Sequence, residues 1–232
     1  MNSTKKAARV AGLLYFVFSL FGVFGLLYVP SVIIVHGDAA ATTHNILARE
    51  LLFRSGIVSN LIGQTGFIFV ALALYRLFKG VDKNLASLMV TLFVVSVPIA
   101  MLNELNQIAA LTLLRGDHFL SGFQKPQLES LAMLFLDLHG SGFLIAEIFW
   151  GLWLVPFGVL VYKSGLLPRI LGVLLIVACF GNLAESFTSL LLPRYEHFVY
   201  RFTGILTAGE LPIIFWLLIR GAKDQPLDAP AS

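Results

Sequence analysis

Five acidic residues lie inside long apolar stretches, and their side chains are the ones best suited to chemistry. Residues 134–153, LFLDLHGSGFLIAEIFWGLW, hold three ionisable side chains in such a stretch. A charged side chain at membrane depth costs about 2.5–3.5 kcal/mol on insertion scales. Five of the chain's thirteen acids lie at such positions, which is more than helix packing requires. These five acids are Glu104, Asp137, Glu147, Glu185 and Glu210.

Polar neighbours accompany these acids at helical spacing. Residues at i, i+3, i+4 and i+7 share one face of a helix. Several helices with such stripes predict that the acids converge on one water-accessible cavity. The alternative is that Arg54, Arg201 or His139 pairs with the acids to hold the helices together. The predicted ligand-binding residues are Glu104, Asp137, His139, Glu147, Glu185, Glu210, Asn103 and Asn182.

His139 has three readings: a metal ligand, a proton-exchanging group or a hydrogen-bonded structural histidine. Zinc sites use at least three protein ligands, commonly His and Cys, but the chain has no H-E-x-x-H or C-x-x-C spacing. Asp137 and His139 are the candidate metal ligands, although residues two apart on a helix point about 200° apart. No cofactor is predicted, and a divalent metal stays an open alternative.

The composition indicates the elements that must position these side chains. The chain has 232 residues, of which 58% are hydrophobic and 12% charged, whereas a soluble domain carries about 25% charged residues. Helices of about 20 apolar residues are what a bilayer requires. The net charge of +3 is scattered without aromatic interleaving, so nucleic acid is excluded as a partner. The lipid bilayer is the expected partner, and the composition does not predict an oligomeric state.

Six apolar segments predict an all-α, polytopic membrane protein with six transmembrane helices in one bundle. The first apolar stretch is too long for a cleaved signal peptide, so it is predicted to be retained. One transmembrane domain is expected over residues 1–223, with a disordered tail over 224–232. The predicted spans are about 9–35, 52–78, 84–114, 127–162, 168–192 and 199–221.

Basic residues in the connections predict the orientation. Ten lysines and arginines fall on the side of the N-terminus and six on the other side. Because cytoplasmic loops carry the excess of Lys and Arg, both termini are predicted to be cytoplasmic, in the inner (plasma) membrane. The acids then lie in the middle or outer half of their spans, and their cavity is predicted to open to the outer side.

Three stretches carry a family resemblance. ARVAGLLY at 8–15, LHGSGFLIAEIFWGLWLVPFGVLVYKSGLLPRILGVLL at 138–175 and GELPIIFWLLIRG at 209–221 resemble the bacterial integral-membrane family catalogued as domain of unknown function 4386. The resemblance covers nearly the whole chain. It implies six helices in the inner membrane and no assigned activity. The residues within these blocks are Arg9, His139, Glu147, Lys163, Pro168, Arg169 and Glu210.

Three functions are compatible with these sequence features. The leading hypothesis is a protein that binds or transports a cation, a proton or a small cationic solute in the acidic cavity, because carboxylates in a low dielectric attract cations and protons. A second is an intramembrane metal-dependent hydrolase with a metal at Asp137 and His139, and Glu147 or Glu185 as general base. A third is a structural or regulatory partner of another membrane protein. Enzymatic activity is the less favoured expectation.

Overall fold

The computed structural model describes residues 4–223, and every regular element in that range is helical, without a strand. A short helix, Ala39–Ala48, follows the first span. The prediction of an all-α protein with six transmembrane helices is confirmed. The predicted tail, residues 224–232, lies outside the described residues. The six spans are Thr4–Ile33, Glu50–Phe78, Lys83–Arg115, Lys125–Ser164, Arg169–Leu191 and Pro193–Ile219.

Large apolar side chains cover the outward faces of the spans. Leu51 is 82% exposed, Ile205 76% and Leu191 73%. A soluble protein rarely exposes contiguous apolar surface on this scale, whereas a helix within hydrocarbon satisfies its backbone internally and can leave such side chains outside. Lipid contact is the environment that suits these faces.

Three of the spans are irregular, and each irregularity lies four residues before a proline. Proline lacks the N–H that would bond to the carbonyl four residues earlier, and its ring crowds that carbonyl. Pro30 follows the π-helical turn Val23–Tyr28, Pro156 follows the break between Leu152 and Leu154, and Pro212 follows the 3-10 turn Ala208–Glu210. The third span contains Pro98 and stays helical from Lys83 to Arg115.

The described residues fall into two compact units. The large unit comprises the chain up to Phe18, Thr65–Pro98 and the chain from Leu144 onward, whereas the small unit comprises Ser19–Gln64 and Ile99–Phe143. The first four spans contribute to both units, and the fifth and sixth belong wholly to the large one. Each unit therefore has its own core and its own polar side chains.

An aromatic chain forms much of the core of the large unit. The ring centroids of Tyr15 and Phe67 are 5.4 Å apart, those of Phe67 and Phe93 5.6 Å, and those of Phe93 and Trp153 5.1 Å. Aromatic pairs at such distances contribute about 0.5–1.5 kcal/mol beyond their buried area. The first four spans are thereby joined in this unit.

Close backbone contact joins the fourth and fifth spans in the large unit. A Cβ added at Gly158 would lie 2.5 Å from the carbonyl oxygen of Gly172, and one added at Gly172 would lie 2.4 Å from that of Gly158. Small residues at helix crossings let membrane helices approach in this way. The crossing places the rest of the fifth span alongside the fourth.

The small unit has an aliphatic core. The short helix Ala39–Ala48 is capped by Asp38, whose Oδ1 accepts a hydrogen bond from the Ala41 N–H at 2.8 Å, which satisfies one free donor of the helix start. This cap holds Ile46 against the second span. The core consists of Val29, Ile33, Ile46, Phe53, Ile57 and Leu111.

Candidate functional site

Glu104 is the centre of a buried polar network in the small unit. It lies on the third span, 2% exposed, and Asn60 of the second span is 4% exposed. The Asn60 Nδ2 donates to Glu104 Oε1 at 3.0 Å. The second carboxyl oxygen, Oε2, is buried and accepts no hydrogen bond within the described residues, and the same holds for Asn60 Oδ1. Buried polar atoms are nearly always hydrogen-bonded, so these two oxygens set the network apart from an ordinary interhelical contact.

His139 joins the network from the fourth span. Its Nε2 lies 2.8 Å from the Gln107 Nε2 and 3.4 Å from Glu104 Oε1. An unprotonated Nε2 accepts the Gln107 N–H. A protonated Nε2 donates to Glu104, and the Gln107 amide then rotates so that its N–H no longer points at Nε2. The imidazole therefore has a hydrogen-bonding partner in both protonation states.

Asn103 fastens the third span to the fourth beside this network. Its Nδ2 donates to the backbone carbonyl of His139 at 2.7 Å, and its Oδ1 accepts from Asn106 at 2.9 Å. Gly142 makes the approach feasible, because a Cβ there would lie 2.0 Å from the Asn103 oxygen. Asn103 thus positions the segment that carries His139.

Glu147 and Glu185 form a second acidic group, in the large unit. They lie on the fourth and fifth spans, and their carboxyl groups are close enough to interact electrostatically. The Ser186 hydroxyl donates to Glu147 Oε2 at 3.0 Å, and Thr203 of the sixth span donates to Glu185 Oε1. Three helices therefore contribute to this carboxyl pair.

Glu210 has a separate partner in the large unit. The Tyr15 hydroxyl of the first span donates a hydrogen bond to Glu210 Oε1, and Tyr15 is only 1% exposed. Glu210 ends the 3-10 turn that Pro212 imposes on the sixth span. Glu210 thus lies in the 3-10 turn that separates the two α-helical parts of the sixth span.

None of these acids is paired with lysine or arginine. The four acids concerned are Glu104, Glu147, Glu185 and Glu210, and within residues 4–223 the lysine and arginine ion pairs involve other acids. Arg54, one predicted partner, bonds to Glu50 at 2.7 Å. The alternative of arginine pairs holding the helices together therefore finds no support in the geometry, whereas His139 does contact Glu104.

Two predicted site residues have no described hydrogen bond to these groups. Asp137 is exposed, and it is absent from the described hydrogen bonds and ion pairs of Glu104 and His139. Asn182 packs its Cβ 3.0 Å from the position that a Cβ on Gly151 would occupy. Within residues 4–223, no three His, Cys, Asp or Glu side chains are arranged to hold a metal ion. The Asp137–His139 metal hypothesis stays untested.

The structure divides the predicted set. Glu104, His139 and Asn103 share one network in the small unit, whereas Glu147, Glu185 and Glu210 belong to the large unit. A single cavity for all five acids stays a prediction. The predicted binding set omitted the hydrogen-bonding partners of the acids, although Asn60, Gln107, Ser186 and Thr203 stood on the predicted polar stripes. The partners it left out are Tyr15, Asn60, Gln107, Ser186 and Thr203.

Comparison with known proteins gives a family and no activity. An uncharacterised protein of the archaeon Archaeoglobus fulgidus is 31% identical over 156 residues, which is 67% of this chain and 77% of that protein. No solved structure matches the chain. The family described as a domain of unknown function, DUF4386, matches residues 10–221. Because that family matches nearly the whole chain, the chain, with its six predicted spans, belongs to the DUF4386 family, whose function is unknown.

Proposed function

We propose that this protein binds a proton, a cation or a small cationic solute at carboxyl groups within the membrane and transports it. The observation that carries the proposal is the Glu147–Glu185 pair. Two unit charges 4 Å apart repel by about 4 kcal/mol at an effective dielectric constant of 20. A proton or a cation held between the two carboxyl groups removes that repulsion, so the pair is suited to take up and release either one.

The surroundings of the pair support a binding role. Hydroxyl groups of Ser186 and Thr203 donate to the carboxylates, which stabilises them without neutralising their charge. Lys and Arg lie beyond salt-bridge distance within the described residues. Purely structural carboxylates in hydrocarbon would be expected to have a permanent countercharge. Among residues 4–223 this pair has no lysine or arginine as a permanent countercharge, so a mobile positive charge is the partner that suits it.

The position of the pair along its helices fits entry from the outer side. Glu147 lies roughly 25 Å from the end of the fourth span at Ser164, at ~1.5 Å per residue, and Glu185 lies roughly 24 Å from the start of the fifth span at Arg169. A hydrocarbon core is about 30 Å thick. If the Lys163 and Arg169 ends are cytoplasmic, as the basic residues predict, the pair lies in the outer part of the bilayer. Tyr200, 42% exposed, interacts electrostatically with both carboxyl groups.

A break in the sixth span supports transport rather than static binding. Transporters commonly use interrupted helices at membrane depth, next to the residues that bind the transported species. The 3-10 turn Ala208–Glu210 interrupts the sixth span. The same span carries Thr203, whose hydroxyl donates a hydrogen bond to Glu185 of the carboxyl pair. A change of conformation at that turn would act on the pair through the same helix.

The test is proton flux in vesicles. Purified protein is reconstituted with the pH-sensitive dye pyranine inside, and gradients of NaCl, KCl or tetramethylammonium chloride are imposed. We expect cation-driven changes of internal pH with the native chain and their loss in the double variant Glu147→Gln, Glu185→Gln. Glu129→Gln is the matched control, since Glu129 pairs with Lys125 at 3.8 Å outside the site. Equal flux in the native chain and the double variant would refute the proposal.

A further inference from the structure

We propose that Glu104 and Asn60 form a binding site for Na⁺ in the small unit. Their hydrogen bond leaves two buried oxygens, Glu104 Oε2 and Asn60 Oδ1, without a donor within residues 4–223. Gln64 Oε1, one helical turn from Asn60, is a third buried oxygen without a donor there. Side chains at i and i+4 lie on the same helix face. The second span therefore presents two amide oxygens towards the interior, and the third span presents a carboxylate.

The Asn60 amide cannot satisfy its own oxygen by turning over. Turning would place Oδ1 against Glu104 Oε1, so that two acceptors would face each other at the present 3.0 Å separation. The oxygen instead lies against Gly25 in the π-helical turn of the first span, where an added Cβ would be only 2.0 Å away. Single π-helical turns are frequent at functional sites. Gly25 keeps this oxygen free of a covering side chain.

The chemistry of these atoms selects the ligand. All three are acceptors, so the group that satisfies them carries positive charge or donates hydrogen bonds. Oxygen ligands suit hard cations such as Na⁺, K⁺, Mg²⁺ and Ca²⁺. Glu104 contributes one negative charge, and within the described residues Lys and Arg are not within salt-bridge distance of it. A single carboxylate balances a monovalent ion.

Close packing favours a small ion over a larger solute. A Cβ added at Gly25 or Gly142 would collide with the amide oxygen of Asn60 or Asn103, at 2.0 Å in both cases. The side chain of Glu104 is only 3% exposed. His139 is the titratable group that faces Glu104, with its Nε2 3.4 Å from Oε1.

The experiment uses the full chain in detergent. Its thermal unfolding is followed while NaCl replaces choline chloride at constant ionic strength, and ²²Na⁺ binding is measured on the same preparation. A ligand that binds only the folded state raises the unfolding temperature in a saturable way. We expect such a rise with Na⁺, none with choline, and an affinity at least tenfold weaker in Glu104→Gln. Asn60→Ala is expected to weaken binding as well.

Glu129→Gln is the matched control, since Glu129 pairs with Lys125 at 3.8 Å outside both acidic groups and the variant should keep the Na⁺ response. The proposal is overturned if NaCl and choline chloride act alike on the native chain, as they would if water alone satisfied these oxygens. It is equally overturned if Glu104→Gln retains native affinity. If that variant does not fold, ²²Na⁺ binding to the native chain and to Asn60→Ala decides the question.

This inference stands on residues other than the Glu147–Glu185 pair, so its failure can be separated from that of the proposed function. If the native chain does not bind Na⁺ but shows Glu147-dependent proton flux, the Na⁺ site alone is refuted. Saturable, Glu104-dependent Na⁺ binding without proton flux would refute the proposed transport alone.

Discussion

Tyr15 in the first transmembrane span donates a hydrogen bond to Glu210 in the sixth. The two residues are 195 positions apart in the chain, and they join the two terminal spans within the large unit. The Arg9 guanidinium adds a second link, since its Nη2 donates to the Ile219 carbonyl at 3.1 Å. The first and sixth spans are therefore held together by polar contacts as well as by apolar packing.

The Tyr15–Glu210 bond is expected to stabilise the folded protein. Interhelical hydrogen bonds in membrane proteins average about 0.6 kcal/mol and reach about 1.7 kcal/mol. We expect Tyr15→Phe and Glu210→Gln each to lower the free energy of unfolding, with a coupling energy in that range. A double-mutant cycle on denaturant unfolding in detergent measures it. Strictly additive effects of the two substitutions would show that the bond contributes nothing.

The crossing of the fourth and fifth spans is expected to tolerate no side chain at Gly158. The Cβ of Gly158→Ala would lie 2.5 Å from the Gly172 carbonyl oxygen, so the helices must separate, at a cost of about 1–3 kcal/mol. Gly140→Ala is the control on the same span, because nothing lies within 4 Å of its Cβ. It should be neutral, or stabilising by up to about 1 kcal/mol through helix propensity. Unfolding temperatures of the two variants test this difference.

Gly25 is expected to be required for the position of the Asn60 amide. The Cβ of Gly25→Ala would lie 2.0 Å from Asn60 Oδ1, so the amide must move and its bond to Glu104 must weaken. We expect a lower unfolding temperature and weaker ²²Na⁺ binding. Gly22→Ala, three residues earlier in the first span with open space around its Cβ, should change neither. Native behaviour of Gly25→Ala would contradict the assigned packing.

The hydroxyl donors of the carboxyl pair are expected to affect proton flux. Ser186→Ala and Thr203→Val each remove one donor, to Glu147 and Glu185 respectively, and so destabilise the ionised form of that carboxyl. We expect each variant to release protons less readily and to reduce flux several-fold in pyranine-loaded vesicles. Thr112→Val is the control, since that hydroxyl bonds only to the Ile108 carbonyl of its own exposed helix face. A similar loss of flux in the control would point to a general effect on folding.

The sequence by itself determined the six helices. A run of about 20 apolar residues has few stable states other than a membrane-spanning helix, because its backbone groups must bond to one another in hydrocarbon. Prolines in the sequence also account for three irregular turns, although the helix around Pro98 is not interrupted. A missing N–H acts on the carbonyl four residues earlier in the same helix, and irregular turns lie there before Pro30, Pro156 and Pro212.

Only the tertiary structure decided which polar side chains meet. Helical spacing placed Asp137, His139 and Glu147 within one arc of the fourth span. In the structure, Asp137 is exposed. His139 contacts Gln107, and Glu147 contacts Ser186. Spacing within one helix does not specify which neighbour faces each side chain. That choice depends on how helices distant in sequence pack, through close contacts such as the one between Gly158 and Gly172. Tyr15 and Asn60 can be recognised as partners of the acids only from the packing of their helices against those that carry Glu210 and Glu104.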